Sequence, residues 1–302
     1  MRLLAQIILL CSLATAPAVM TSAYALSFDD LKKDLKSAKD KVKKKAKQGR
    51  AKFDPSRGKL SEAEEIQIGG KLVAGLLGAA PLVDDAGLQR YVNDVGYWVA
   101  SQTERKQLPW SFGVIESEGI NAFAAPGGYI VISLGYIVIS LGLYNLLENE
   151  AQLAGVLAHE IAHVVRKHHL TALQKTMKRE FWSDLGVKAV GNKNKRENLK
   201  QLINSGVQLY ATGLDRKYEY DADMRAVVLV ARAGYDPYAL LDVLTTIDSI
   251  NPNSSELSVL MKTHPATAKR LERLGRKMDG RLDDYAAGRL NAGRFRQVAG
   301  SP

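Results

Sequence analysis

The amino-acid sequence predicts an α+β fold, mostly helical with a small β-sheet. Three observations lead there. Stretches near 62–73, 86–101, 148–169, 201–233, 237–250 and 265–278 carry apolar residues at the three-to-four-residue spacing of one buried helix face. Two others, 110–115 and 120–147, are rich in β-branched and aromatic residues and bounded by Gly or Pro. The 302 residues are 46% hydrophobic, enough to bury a substantial core.

Residues 1–25 combine one positive charge at Arg2, an apolar run from Leu3 to Leu13, and small residues at Ala23 and Ala25. That is the layout of a signal peptide cleaved after Ala25. Ser12, Thr15 and Pro17 interrupt the run, which is short for a membrane anchor of about 20 residues. The single cysteine, Cys11, lies within it and lacks the small residue that precedes a lipid-modified cysteine. The mature chain is therefore expected to be periplasmic or otherwise extracytoplasmic, without disulfide or lipid.

Residues 26–59 form a basic arm. Between Lys32 and Lys52 stand eleven Lys or Arg against two Asp, within a chain of formal charge +10. Such a block attracts anionic lipid headgroups or an acidic partner, or is simply a solvated arm. Nucleic acid is a poor fit, because a signal peptide directs the chain away from it and no aromatic residues interleave with the basic run.

The folded domain is expected over 60–285, with 286–302 a C-terminal tail. Ser61-Glu62-Ala63-Glu64 matches a capping box, so the first helix starts near Glu62. The next runs from Ala86 to Ser101 and buries Leu88, Tyr91, Val92, Val95 and Val99. Pro109 separates it from a strand, Trp110 to Ile115.

The segment Ile120 to Leu147 is unusual. Gly128-Tyr-Ile-Val-Ile-Ser-Leu134 is repeated at once as Gly135-Tyr-Ile-Val-Ile-Ser-Leu141. The apolar length approaches that of a membrane span, but β-branched residues between glycines favour strand, and half of the length comes from duplication. Side chains alternate along a strand, so seven extra residues in one continuous strand would reverse the buried face beyond them. A bulge, loop or added hairpin is expected.

Glu148 to about His169 reads as one helix, buried through Leu153, Val156, Leu157, Ile161 and Val164. A Lys-rich stretch, 188–200, precedes a helix from about Gln201 to Ala233, ended by Gly234. Helices near Pro237–Ile250 and Pro265–Met278 follow.

On the first of these helices, His159-Glu160-Ile161-Ala162-His163 sets two imidazoles four residues apart on one face, where both reach one tetrahedral cation. Glu160 between them can polarise a water at that cation. The apolar neighbours Ala158, Ile161, Ala162 and Val164 bury the imidazoles, which then need a partner. A third ligand has two candidates. His169 stands six residues after His163, but a chain that uses such a histidine turns at a glycine where this one has Arg166. Glu219, in Glu219-Tyr220-Asp221-Ala222-Asp223, lies on a separate helix that can pack across the first, and Asp223, one turn on, can accept a hydrogen bond from a ligating histidine. Asp221, Arg225 and His168 lie near these motifs and are read as surface or salt-bridging residues.

The HExxH pair, the later ExxAD motif and the preceding Asn121-Ala122-Phe123-Ala124-Ala125-Pro126-Gly127-Gly128 together resemble the gluzincin zinc metallopeptidase family that includes HtpX, the CaaX prenyl proteases, the Oma-type proteases and BepA. The resemblance spans about Ser61 to Met278. It implies a zincin-type domain with its small sheet beside the HExxH helix, and one Zn2+ per chain held by His159, His163 and Glu219. Asn121 and the strand near Tyr129 would bind the substrate backbone, and His264, in Thr263-His264-Pro265, would assist catalysis beside Glu160. The tetratricopeptide repeats of BepA are absent from this sequence.

The reaction so implied is hydrolysis of peptide bonds in unfolded or misassembled envelope proteins. The second heptad departs from the family pattern at the expected substrate strand. Two other readings follow: a zinc-stabilised module or insertion-disabled protease that binds extended polypeptide without cutting it, and a membrane-integral protease spanning the bilayer through 120–147.

Overall fold

The computed structural model describes residues 61–63, 65–66, 68–70, 81–126, 136–185, 213–251, 253–255, 257–264 and 267–299. Tyr129, the first heptad copy, the signal peptide and the basic arm lie outside these residues. Helical backbone begins at Glu62, as the capping box predicts, and buries Glu65 and Ile68.

Helix α1 (Ala86–Ala100) starts at Asp85, whose carboxylate accepts the backbone N–H groups of Gly87 and Leu88. Its buried face holds the five residues named above, all packed in the core. Strand β1 (Ser111–Ile115) lies alongside. Gln89 and Asn93, one turn apart on α1, meet alternate residues of β1. The Gln89 amide bonds the Val114 N–H and C=O, and the Asn93 amide bonds those of Phe112. A side-chain ladder thereby satisfies the open edge of the sheet.

The sheet has three strands in the order β1-β3-β2, with β2 at Ala122–Ala124 and β3 at Tyr136–Ser140. The central strand β3 runs parallel to β1 and antiparallel to β2. It is the second copy of the heptad, so this part of the apolar segment is strand. The segment does not stay extended to Leu147: helix α2 (Leu141–Leu146) follows at once, because the Ser140 hydroxyl accepts from Leu143 N–H and caps it. Among the described residues no helix is long and apolar enough to cross a membrane.

Helix α3 (Glu150–Val165) is the centre of the fold, with all of its residues buried. Helices α1, α5 and α6 and strand β2 surround it. The sequence reads as one helix to His169, yet α3 ends at Val165 and α4 (His168–Leu185) begins after a turn. Lys167 makes that turn in the left-handed region, at φ 57°. A non-glycine residue there costs about 1–2 kcal/mol. The Lys167 ammonium bonds the buried Glu65 carboxylate at 2.6 Å, a tertiary contact that offsets the strain.

Of the helix expected from Gln201 to Ala233, residues 201–212 lie outside the described residues, 213–215 are not helical, and helix runs from Arg216. Gly213, at φ 78°, precedes α5 (Arg216–Arg232), and a Cβ there would lie 2.1 Å from the Lys262 carbonyl oxygen. Gly234, also left-handed, ends α5. Then come α6 (Ala239–Ser249), α7 (Ser258–Thr263) and α8 (Thr267–Met278). The expected tail is corrected by α9 (Ala292–Ala299), whose Phe295 is in the core against Tyr91 and Tyr144. The packed domain therefore reaches beyond residue 285.

Candidate metal centre

Helices α3 and α5 pack directly on one another. His159 and His163, one turn apart on α3, face Glu219 in the first turn of α5. The two Nε2 atoms are 3.0 Å apart. Glu219 Oε2 lies 3.6 Å from His159 Nε2, and Oε1 3.5 Å from His163 Nε2. His264 closes the group from the end of α7, with Nδ1 3.0 Å from Glu219 Oε2. One donor atom from each of these four buried residues falls within 4.8 Å of the others.

The fit to a cation rests on these distances and on two bare atoms. Tetrahedral bonds of about 2.0–2.2 Å hold neighbouring donor atoms roughly 3.3–3.5 Å apart, close to the spacing seen here. Glu219 Oε1 and Glu160 Oε2 are buried and have no hydrogen-bond partner among the described residues. A buried carboxylate oxygen without a partner is costly. A cation between Glu219 and the two imidazoles removes that cost at Glu219.

The surroundings orient the donors. His159 Nδ1 is 2.9 Å from Asp223 Oδ1, one turn beyond Glu219 on α5. With the Nδ1 proton given to Asp223, Nε2 keeps its lone pair for the centre. Asp223 is held by Arg270 of α8 through two bonds, at 2.7 and 2.8 Å, and Arg270 Nη1 reaches Glu219 Oε2 at 3.4 Å. Sequence reasoning missed Arg270. Its signal was available: it sits with Thr267, Leu274 and Met278 on the buried face of α8, where an arginine needs a buried partner.

Burial dominates the electrostatics. It pushes the Glu160 carboxyl up and the His163 ring well below its ordinary value. At Glu219 burial works the other way, but His264 and His159 outweigh it and hold the carboxyl well below the usual range. Burial and Arg270 oppose charge on His159, while Asp223 and Glu219 bring its ring up to about 9. Buried groups with opposed shifts gathered in one place are the arrangement that a functional site uses.

Glu160 Oε1 is 3.6 Å from His264 Nε2, which also stands 3.4 Å from the Ala122 carbonyl on the sheet edge. Asn121 is buried beside them. Its Oδ1 accepts from Ala122 N–H and Thr263 Oγ1, joining β2 to the segment that carries His264. Arg225 pairs with the exposed Glu104, away from this group. Asp221 pairs with Arg166, and His168 lies behind His163. His169 is not part of the four-residue group, although its ring centroid is 5.3 Å from that of His163. Tyr129 lies outside the described residues.

The chain is 30% identical over 217 residues to the beta-barrel assembly-enhancing protease of Escherichia coli strain K12, covering 70% of this chain and 43% of that protein. It is 27% identical over 184 residues to the mitochondrial metalloendopeptidase OMA1 of Schizosaccharomyces pombe, covering 61% and 51%. With the human mitochondrial metalloendopeptidase OMA1 the identity is 29% over 181 residues, covering 56% and 32%. The chain thus spans less than half the length of the bacterial relative. Peptidase family M48 matches over residues 86–277, a span containing the whole ligand-competent group and its orienting residues. The chain belongs to peptidase family M48, whose members are metal-dependent peptidases.

Proposed function

We propose that this chain is a zinc-dependent endopeptidase of the cell envelope, cutting unfolded or misassembled proteins. The observation that carries the reading is the convergence of His159, His163 and Glu219 from two crossing helices, with Glu160 beside them holding an unpartnered buried oxygen. Two imidazoles and one carboxylate are the donor set of a catalytic zinc site that keeps a position for water. Bound there, zinc supplies Lewis-acid polarisation of a water and of the scissile carbonyl.

The residues of the chain do the rest. Glu160 Oε2 takes a proton from the attacking water and passes it to the leaving amine, a task suited to a carboxyl whose pKa burial has raised. His264, between Glu160 and Glu219, assists at the developing oxyanion. Asp223 and Arg270 hold His159 and Glu219 in place. Asn121, just ahead of β2, and Tyr129, outside the described residues, are the residues proposed to receive an extended substrate backbone.

The leader-like residues 1–25 support the envelope location, and the basic run 32–52 is suited to peripheral contact with anionic membrane. Substrates of this kind agree with the name of the bacterial relative, a protease that enhances β-barrel assembly.

Hydrolysis of unfolded casein tests the reading. The zinc-loaded chain is expected to cleave it. Chelation should stop cleavage, zinc should restore it, and Glu160→Gln should lower the rate by about 10²–10⁴-fold with zinc retained. Cleavage by Glu160→Gln at the wild-type rate would overturn the assignment. The tandem heptad favours a second reading, an insertion-disabled protease, and activity that appears only after one copy is deleted would establish it.

A further inference from the structure

Among the described residues no carboxylate meets His163 Nδ1, which faces His168 instead. We infer that His168 is the positioning residue for His163, passing the orienting effect of Asp221 to the metal centre through a neutral imidazole. The inference rests on His163 being a ligand through Nε2.

The protons follow from the hydrogen-bond network. His163 Nε2 faces His159 Nε2 and Glu219 Oε1, so as a ligand it carries a lone pair. The His163 proton is then on Nδ1, which lies 3.1 Å from His168 Nδ1. For that contact to be a hydrogen bond, His168 Nδ1 accepts and its own proton is on Nε2. His168 Nε2 is 3.1 Å from Asp221 Oδ2, which accepts it. Arg166 Nε donates to the same oxygen at 2.8 Å and fixes the outer end. Every donor in this line meets an acceptor, and the reverse arrangement would place a proton on His163 Nε2.

The local backbone permits this contact. Residues five apart on a continuous helix do not face each other. The left-handed turn at Lys167 ends α3 and restarts the chain at His168, which brings the two rings to 5.0 Å between centroids. Tyr218 of α5 covers the other side of His168, at 4.7 Å. The first turns of α5 thus serve the whole centre: Glu219 as donor, Asp223 on His159 directly, and Asp221 on His163 through His168.

The test is zinc affinity, measured by competition with a chromophoric chelator, for the wild-type chain and for His168→Asn and His168→Leu. Asparagine places an amide oxygen where Nδ1 of the ring stood and keeps the acceptor for His163. Leucine fills the space without one. The expected result is a 10–100-fold loss of affinity in His168→Leu, the usual effect of removing an outer hydrogen bond to a ligand, and most of that loss recovered in His168→Asn. Equal affinities of wild type and His168→Leu, or His168→Asn as weak as His168→Leu, would overturn the inference while leaving the peptidase reading intact. A wild-type chain that binds no zinc would overturn both. Thermal unfolding of the metal-stripped variants checks that each is folded. If His168→Leu does not fold, an asparagine variant within about threefold of wild type supports the inference and one 10–100-fold weaker overturns it.

Discussion

Replacing Glu150 with alanine should unfold the chain far more readily than its distance from the metal centre suggests. Glu150 is the first residue of α3 and is fully buried. Its Oε2 accepts from Tyr91 OH at 2.7 Å and its Oε1 from Tyr235 OH at 2.8 Å and Asn291 Nδ2 at 2.7 Å. Arg294 adds a 3.3 Å contact from α9. Alanine leaves the buried Tyr91 and Tyr235 hydroxyls without an acceptor, at roughly 1–3 kcal/mol each, and the partly buried Asn291 amide at less. A cavity of about 230 Å³ adjoins Glu150, Tyr235, Arg289 and Arg294, so water can reach some of them. The expected loss is therefore about 3–4 kcal/mol, a large share of a domain stability of roughly 5–15 kcal/mol. Glutamine keeps the shape and one acceptor oxygen and should cost about half as much. Urea unfolding of the wild type and both variants measures this. A loss below about 1 kcal/mol for alanine, or equal losses for the two, would refute the reasoning.

Three further expectations concern the centre and its scaffold. Asp223→Asn removes the charge that orients His159 and should weaken zinc binding about tenfold or more, measured by chelator competition. In the metal-free chain the contacts of His159 with Asp223 and Glu219 hold its ring up to about 9, so the proton is bound below that value and zinc must displace it. Apparent zinc affinity should then rise about tenfold per unit between roughly pH 6 and 8; a flat profile would contradict the assigned contacts. Gly213→Ala forces a Cβ against the Lys262 carbonyl in a left-handed backbone, and should cost more than about 2 kcal/mol in urea unfolding.

Much of this was legible in the sequence because it is periodic or local. The α1 face, the strand after Pro109 and the apolar α3 follow from spacing alone, and the HExxH pair fixes two donors by helix geometry. What was not legible depends on distant partners. The turn at Lys167 has no glycine to announce it and is held by Glu65, a hundred residues away. The start of α5 reads as helix interior until Gly213 is seen packed on the α7 backbone. The C-terminal helix is short, and Phe295, Val298 and the contacts of Asn291 and Arg294 with Glu150 tie it down. His168 looks like a surface residue in a basic chain, and acquires its place only when α4 folds against the centre.

Zinc content after loading with an equimolar amount and gel filtration tests the central claim most directly. The account predicts about one zinc per chain for wild type and for Glu160→Gln, and its loss in Glu219→Ala. A wild-type chain that emerges without zinc, or a Glu219→Ala chain that holds it as firmly as wild type, would contradict it.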